Sequence, residues 1–461
     1  MGTLGILISL ALLMYLAYRG INVLILAPLL ALLALLFSGE VAMLLPTYTQ
    51  VFMKAMGGYV IQFFPLFLLG ALFGKLMDDS GSARAIAHGI VAKLGSERAI
   101  LAIVLACGIL TYGGVSLFVV AFAVYPIGAA LFREADIPKR LIPGAIALGS
   151  FTFTMTALPG TPAIQNAIPN PFFGTDAFAA PGLGIIAGLI MFGLGSWWLT
   201  SQARKLKAAG EGYGDHREDP VEQDYSHTPG FWLALLPILI VIGLNYVMAK
   251  QILPGIDASY LAKPEFGGLA DAKSLIGIWS IIVALASAIV LLIVMHWRRW
   301  MDLKKTVNEG AFGSMLPILN TAAEVGYGTV IASLAGFVVI RDLVLGVSDN
   351  PLISEAVAVN ILAGITGSAS GGMSIALKTL GEQYMTLATT AGISPELLHR
   401  VAAMASGCMD TLPHNGAVIS LLAICKLTHR ESYKFIFVNT VAFPMMALAV
   451  VIALGTLFGS F

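Results

Sequence analysis

Apolar stretches long enough to cross a lipid bilayer dominate this sequence of 461 residues. A helix needs about 20 mostly apolar residues to span roughly 30 Å of hydrocarbon. Hydrophobic residues make up 58% of the chain and charged residues only 11%, against about 25% charged in soluble domains. We therefore predict an all-α polytopic membrane protein. About ten transmembrane helices are expected, near 3–18, 21–37, 58–77, 139–165, 178–200, 231–249, 273–296, 326–345, 394–425 and 433–458.

Positive charge is distributed unevenly between the loops that join these spans. Lysines and arginines are concentrated at Arg19 and in 75–98, 133–140, 204–217, 298–305 and 426–434. Seven basic residues lie elsewhere, namely Lys54, Lys250, Lys263, Lys273, Arg341, Lys378 and Arg400. Because basic loops stay on the cytoplasmic side, the first group is predicted to face the cytoplasm, together with a linker at 201–230.

The remaining composition excludes several classes of function. Basic and acidic residues balance at 26 each, so we expect no nucleic-acid partner. The three cysteines, Cys107, Cys408 and Cys425, all lie within apolar segments. This placement is typical of free buried thiols, and we expect no disulfide, metal site or cofactor.

Two apolar regions are interrupted in the middle by glycine and serine. The region 98–132 contains "TYGGVS" at 111–116, and the region 352–390 contains "TGSASGGMS" at 366–374. Each region is either two ordinary spans or one re-entrant hairpin that returns to the side it came from. The charge distribution fixes the orientation and fits both interpretations, because either one returns the chain to the same side.

An internal repeat favours the hairpin interpretation. Gly113-Gly114 align with Gly371-Gly372 at a shift of 258 residues, and Leu158-Pro159 align with Leu412-Pro413 at a shift of 254. Each hairpin is preceded by a span that begins with Gly-Tyr, at 58–59 and at 326–327. An odd number of spans separates these two positions, so the two copies have opposite orientations in the membrane. Inverted repeats with broken helices are typical of secondary transporters. The predicted domains are a first repeat at 1–200, with a hairpin at 98–132 and a broken helix at 139–165, and a second at 231–461, with a hairpin at 352–390 and a broken helix at 394–425.

The hairpin tips and helix breaks are the predicted binding site. Non-helical backbone at membrane depth leaves polar groups unpaired, which is tolerated where they line a cavity. The start of a half-helix directs free N–H groups at one point and favours an anion. The substrate-binding candidates are Thr111, Gly113, Gly114, Ser116, Thr156, Gly160, Thr161, Ser368, Ser370, Gly371, Gly372, Ser374, Thr411, His414 and Asn415.

Asp410 and His414 are the titratable pair of the second break, in "DTLPHNGAV" at 410–418. A charged group at membrane depth is costly and normally faces a cavity or a partner. Either residue is therefore a candidate carrier of a coupling proton. The alternative is structural: Asp410 caps the broken half-helix, and His414 is a buried polar group with satisfied hydrogen bonds.

The chain resembles the gluconate/proton symporter family of bacterial inner-membrane permeases, within the ion-transporter superfamily. The resemblance is strongest in "NILAGITGSASGGMSIAL" and "MASGCMDTLPHNGAVISLLAICKLTHRESYKFIFVNT". It implies two inverted repeats, a scaffold domain that forms a homodimer, and a transport domain that moves as an elevator. It also implies a small hydroxycarboxylate substrate, and this branch is similar to 3-hydroxybutyrate permeases.

One departure from the family and two alternatives bear on this interpretation. Gluconate members place a His-x-Asn-Asp cluster near the second break, whereas this chain has His414-Asn415-Gly416-Ala417, which favours a smaller substrate. Sodium-coupled carboxylate symport is the close alternative, although the asparagine that sodium-coupled relatives carry at both tips is missing here. An intramembrane hydrolase with Ser116 or Ser374 and His414 is the remote one, because no nucleophile-elbow motif is present. We expect a transporter and not an enzyme.

Overall fold

A computed structural model describes residues 2–216, 228–266, 272–413 and 415–461. Every regular element within these ranges is helical, which confirms the all-α prediction. The first half contains eight principal helices: α1 Gly2–Tyr18, α2 Val23–Phe37, α3 Val41–Asp79, α4 Ser82–Leu94, α5 Ala99–Tyr112, α6 Leu117–Glu134, α7 Ile142–Ser150 and α8 Pro181–Ala208. One-turn helices at Phe153–Thr156, Ile164–Ala167 and Asn170–Phe173 lie between α7 and α8.

The second half repeats this order of elements. It contains α9 Phe231–Gly255, α10 Lys273–Met295, α11 Leu303–Ser333, α12 Phe337–Leu345, α13 Pro351–Thr366, α14 Ala369–Ala391, α15 Pro395–Ser406, α16 Gly416–Ile424 and α17 His429–Phe458. Each half thus has two helices, a long helix followed by a shorter one, a helix pair, an interrupted helix and a final long helix. This order is what a duplicated unit produces.

Within the described residues, six helices are long and apolar enough to span a bilayer, or up to eight if each of two bent pairs is one span. The predicted count of ten is not confirmed. Helices α1 and α2 have 17 and 15 residues, or roughly 25 and 22 Å at 1.5 Å per residue. The predicted spans 139–165 and 394–425 are interrupted helices.

The predicted span at 326–345 is wrong. Helix α11 begins at Leu303 and ends at Ser333, and the chain then bends by 98° into α12. Lysines, asparagine and glutamate in the first two turns of α11 lower its hydropathy, so the sequence suggested a loop there. The Gly-Tyr correspondence is wrong for the same reason, because Gly58 lies 21 residues before the end of α3 at Asp79 and Gly326 lies 7 residues before the end of α11 at Ser333.

Helices α3 and α11 form the antiparallel centre of the molecule. The end of α3 meets the start of α11, where Lys75 Nζ lies 3.0 Å from Glu309 Oε2. At the other end of the pair, a Cβ on Gly326 would lie 3.0 Å from the ring of Phe52. Helix α2 packs against α11 and α10 packs against α3, so corresponding helices of the two halves make corresponding contacts.

The two glycine-serine interruptions are turns between helices that pack against each other. Helix α5 packs on α6 and α13 packs on α14, with turns at residues 113–116 and 367–368. The two predicted breaks are also non-helical, at 157–163 and 407–415 apart from His414, which lies outside the described residues. Gly407 brings the breaks together, since a Cβ there would lie 2.8 Å from Thr156 Cγ2.

Candidate functional site

The first hairpin tip lies against the break of its own half. The hydroxyl of Tyr112 donates to the carbonyl oxygen of Pro159 at 2.6 Å. Gly114 has φ +91°, and a Cβ there would lie 2.8 Å from Pro162 Cγ. Only glycine adopts this conformation without strain and leaves this space free. The glycine at 114 is therefore what lets the tip reach the break.

A cavity of about 290 Å³ lies between this tip, the break, α3 and α11. Three of the predicted substrate residues line it, namely Thr111, Gly114 and Ser116. The remaining polar contacts come from Gln165 and from Ser314 of α11. Among the described residues that line this cavity, none is charged. Its volume lies near the lower end of the roughly 300–1,000 Å³ typical of ligand pockets.

Two features of this cavity suit an anion. Helix α6 begins at it, with Ser116 as the N-cap residue and no side-chain cap within the described chain, so the first N–H groups of an 18-residue helix face the cavity. Thr111 is 4% exposed, and its hydroxyl has no hydrogen-bond partner among the described residues. A buried hydroxyl without a partner is costly unless a ligand or water satisfies it.

The second hairpin tip also meets the break of its own half. Asn415 Nδ2 donates to the carbonyl oxygen of Gly367 at 2.8 Å. Asn415 Oδ1 accepts from the backbone N–H groups of Ala417 and Val418 at 2.6 and 2.9 Å. This residue caps α16 and ties it to the tip, so both ends of its amide are engaged within the protein.

Glu324 of α11 closes the second tip, and the sequence analysis missed it. The residue is 3% exposed, and a Cβ on Gly371 would overlap its carboxylate. Glu324 Oε2 has no hydrogen-bond partner in the described part of the chain. The signal was available, since an intramembrane carboxylate is a functional candidate by default. The wrong start of α11 had placed Glu324 in a loop.

Other predicted residues at the second tip make contacts within the protein. Ser370 Oγ lies 3.3 Å from Thr321 Oγ of α11, and Ser374 is buried beside Tyr59 of α3. A Cβ on Gly372 would overlap the backbone of Ala363, so this glycine permits close packing of α13 on α14. The second tip is thus packed onto α3 and α11.

The predicted residues of the first break mostly shape its backbone. Gly160 has φ +85° and packs against the ring of Phe178. Thr161 Oγ accepts from the N–H of Ala163 at 3.3 Å, and Thr156 Oγ donates to the carbonyl oxygen of Thr152 at 3.1 Å. At the tip itself, Gly113 packs against α9, since a Cβ there would lie 2.6 Å from Ile238. The structure does not place these four residues at the cavity.

A buried polar cluster from α15 supports the first break. Arg400 is fully buried. Its Nε and Nη2 donate to the carbonyl oxygen of Ala179 at 3.1 and 2.7 Å, and Nη1 donates to Thr156 O and Asn166 Oδ1 at 3.1 Å each. His399 lies beside it, with Nδ1 2.7 Å from Thr175 Oγ1. These donors satisfy carbonyl groups that the break leaves without helical partners.

Asp410 lies in the second break and is 7% exposed. Its Oδ1 has no hydrogen-bond partner within the described ranges. The hydroxyl of Thr411 is paired with Thr440 Oγ1 at 2.6 Å. His414, the other residue of the predicted titratable pair, lies outside the described residues.

Similar chains of known sequence are transporters. An uncharacterized transporter of Bacillus subtilis (strain 168), YxjC, is 47% identical over 98% of both chains. A gluconate permease of Bacillus licheniformis is 27% identical over 49% of this chain and 51% of its own. A high-affinity gluconate transporter of Escherichia coli (strain K12) is 35% identical over 22% of this chain and 23% of its own.

Two solved structures share the fold. Neisseria gonorrhoeae MtrF, described as one of a class of antimetabolite efflux pumps, aligns over 91% of this chain and 85% of its own, with a TM-score of 0.55 and 15% identity. The Alcanivorax borkumensis YdaH transporter aligns over 88% and 87%, with a TM-score of 0.56 and 15% identity. The relatives of similar sequence confirm the prediction of a transporter and not an enzyme. The GntP family permease profile matches residues 1–457, and this chain therefore belongs to the GntP permease family.

Proposed function

We propose that this permease is a secondary active transporter of a small hydroxycarboxylate, of the gluconate or 3-hydroxybutyrate type, coupled to protons across the bacterial inner membrane. The cavity at the first hairpin tip carries this proposal. Its helix N-terminus suits a carboxylate, and its hydroxyl and amide groups suit a hydroxylated carbon chain. Two relatives are named as transporters of gluconate, an anion that has both a carboxylate and a hydroxylated carbon chain.

The substrate contacts follow from the cavity lining. The carboxylate lies at the start of α6, within reach of Ser116 and the unpaired hydroxyl of Thr111. Ser314 and Gln165 bind the hydroxyl groups of the substrate from α11 and the first break. No lysine or arginine is needed, because N–H dipoles and neutral donors hold the anion in a site of low dielectric constant.

Alternating access follows from the two repeats. The repeated order of helices and the antiparallel pairing of α3 with α11 support inverted repeats at 1–200 and 231–461. In this structure the first tip borders an open cavity, whereas Glu324 closes the second tip. We infer that the hairpins and broken helices form a transport domain that moves as an elevator against a dimeric scaffold of the long helices. In this movement the first tip closes and the second tip opens, and the reverse movement restores the arrangement seen here.

Buried carboxylates are the proposed route of proton coupling. Asp410 and Glu324 each have an oxygen without a partner among the described residues, and an uncompensated charge at that depth costs several kcal/mol. Binding a proton removes this cost. His414 stays a candidate because it is four residues from Asp410 in the sequence.

The test uses the purified permease in proteoliposomes. Unlabelled acids of graded length and hydroxylation compete with labelled gluconate and 3-hydroxybutyrate, and uptake is driven either by a pH gradient or by a sodium gradient with choline as the replacement cation. The proposal expects competition by short hydroxycarboxylates and accumulation driven by pH. Competition by amines or neutral sugars alone refutes the substrate class, and accumulation that requires sodium refutes proton coupling.

A further inference from the structure

A second cavity, of about 730 Å³, opens between the base of the first hairpin and the end of α8. Arg98, Arg204 and Lys207 line it, with Glu97 as the only acidic lining residue among those described. The loops that carry these residues belong to the group that the charge distribution places in the cytoplasm. The cavity therefore lies at the predicted cytoplasmic end of the helices, and it shares no lining residue with the cavity at the first hairpin tip.

The positive charge of this cavity is not neutralised within the part of the chain that the structure describes. Arg98 and Arg204 make no ion pair with any residue the structure describes. Lys207 Nζ donates to the carbonyl oxygen of Ala135 at 3.3 Å, which is a neutral acceptor and leaves its charge intact. Three cations and one carboxylate around one space favour an anionic ligand.

An adjoining cavity of about 320 Å³ extends this site toward the membrane. It shares Leu101, Thr200 and Arg204 with the basic cavity of about 730 Å³ and adds Trp197, whose side chain is 65% exposed. Residues 197, 200, 201 and 204 follow helical spacing and lie along one face of α8. Over roughly 10 Å of helix, this face changes from an exposed indole through hydroxyl groups to a guanidinium.

The geometry points to a binding site for an anionic phospholipid of the cytoplasmic leaflet. The lipid phosphate lies between Arg98 and Arg204, whose guanidinium groups bind phosphate oxygens in a bidentate manner. The glycerol region lies at Thr200, and the acyl chains lie along Trp197 and Leu101. Tryptophan belongs at the membrane interface, and basic pockets between helices bind acidic head groups. Inorganic phosphate would use the basic cavity alone and would leave Trp197 without a role.

The experiment measures lipid retained by the purified permease in phosphatidylcholine nanodiscs with increasing phosphatidylglycerol, using native mass spectrometry. Removing one surface-facing basic contact costs about 1 kcal/mol, or about fivefold in affinity. We expect that loss in Arg98→Gln and again in Arg204→Gln. Lys304→Gln is the matched control, since this exposed lysine is also cytoplasmic by charge and lies outside the cavity.

Two further measurements distinguish a phospholipid from inorganic phosphate as the ligand and identify variants that do not fold. Trp197→Ala is expected to weaken retention of phosphatidylglycerol while binding of inorganic phosphate stays unchanged. Melting temperature in phosphatidylcholine alone identifies any variant that is misfolded, and the arginine variants that melt normally decide the result. Unchanged retention in the double arginine variant, equal retention of phosphatidylcholine, or full displacement of the lipid by inorganic phosphate would each overturn the inference.

Discussion

Replacing Thr111 by valine tests the cavity at the first hairpin tip directly. The two side chains have nearly the same shape, and valine exchanges the hydroxyl for a methyl group. Because Thr111 Oγ has no partner among the described residues, the substitution breaks no hydrogen bond that the structure shows. The free energy of unfolding is expected to stay unchanged or to rise, by up to about 1–3 kcal/mol, since a buried unsatisfied group is removed.

Substrate binding is expected to weaken in the same variant. A hydrogen bond to a charged group contributes about 1.5–3 kcal/mol, and each 1.4 kcal/mol is about tenfold in affinity. The KM for the transported acid should therefore rise by about 10- to 100-fold. The maximal rate should change less, because the hairpin and the helix break keep their packing.

Thr156→Val is the matched control for this experiment. Thr156 is also a buried threonine of the predicted site, but its hydroxyl is bonded to Thr152 and lies outside the cavity. Uptake of labelled gluconate or 3-hydroxybutyrate gives KM, and the melting temperature of the purified protein gives stability. The reasoning is refuted if KM of Thr111→Val stays within about twofold of wild type, or if Thr156→Val raises it equally.

Three further predictions concern the tip, the break and proton coupling. Gly114→Ala should lower the free energy of unfolding by about 1–2 kcal/mol, because residue 114 has a left-handed backbone and contacts the break. The melting temperature should fall accordingly. Gly57→Ala is the control and should leave the melting temperature unchanged, since no described atom lies within 4 Å of a Cβ at that position. Arg400→Met should abolish the yield of monodisperse protein in size-exclusion chromatography. The substitution leaves three buried acceptors without their hydrogen bond from Arg400, and each costs about 1–3 kcal/mol of folding free energy. A normal yield would contradict this. Asp410→Asn or Glu324→Gln should lose accumulation driven by a pH gradient and keep substrate counterflow. If both variants keep wild-type pH dependence, the proton site lies elsewhere.

Three of the residues proposed for the first half of the candidate site line its cavity, whereas the residues of α11 that contact the two tips were not proposed from the sequence. Glycines and hydroxyl residues within apolar stretches marked both tips, and Thr111, Gly114 and Ser116 do line the cavity. The partners from α11, Ser314 and Glu324, were missed because polar residues at the start of that helix concealed where it begins. A hydropathy scan averages over a window of residues. The polar residues at the start of α11 lower that average, so the scan does not show where the helix begins.

The sequence by itself determined that this chain is a helical membrane protein with two related halves, because apolar length and repeated glycine motifs are local properties. Tertiary structure alone decided which tip borders a cavity and which is closed. Thr156, Gly160 and Asn415 belong to the same motifs as the cavity residues, yet their polar groups bond to neighbouring backbone. A polar group at a helix break serves the backbone or a ligand according to what packs against it, and those contacts come from distant parts of the chain.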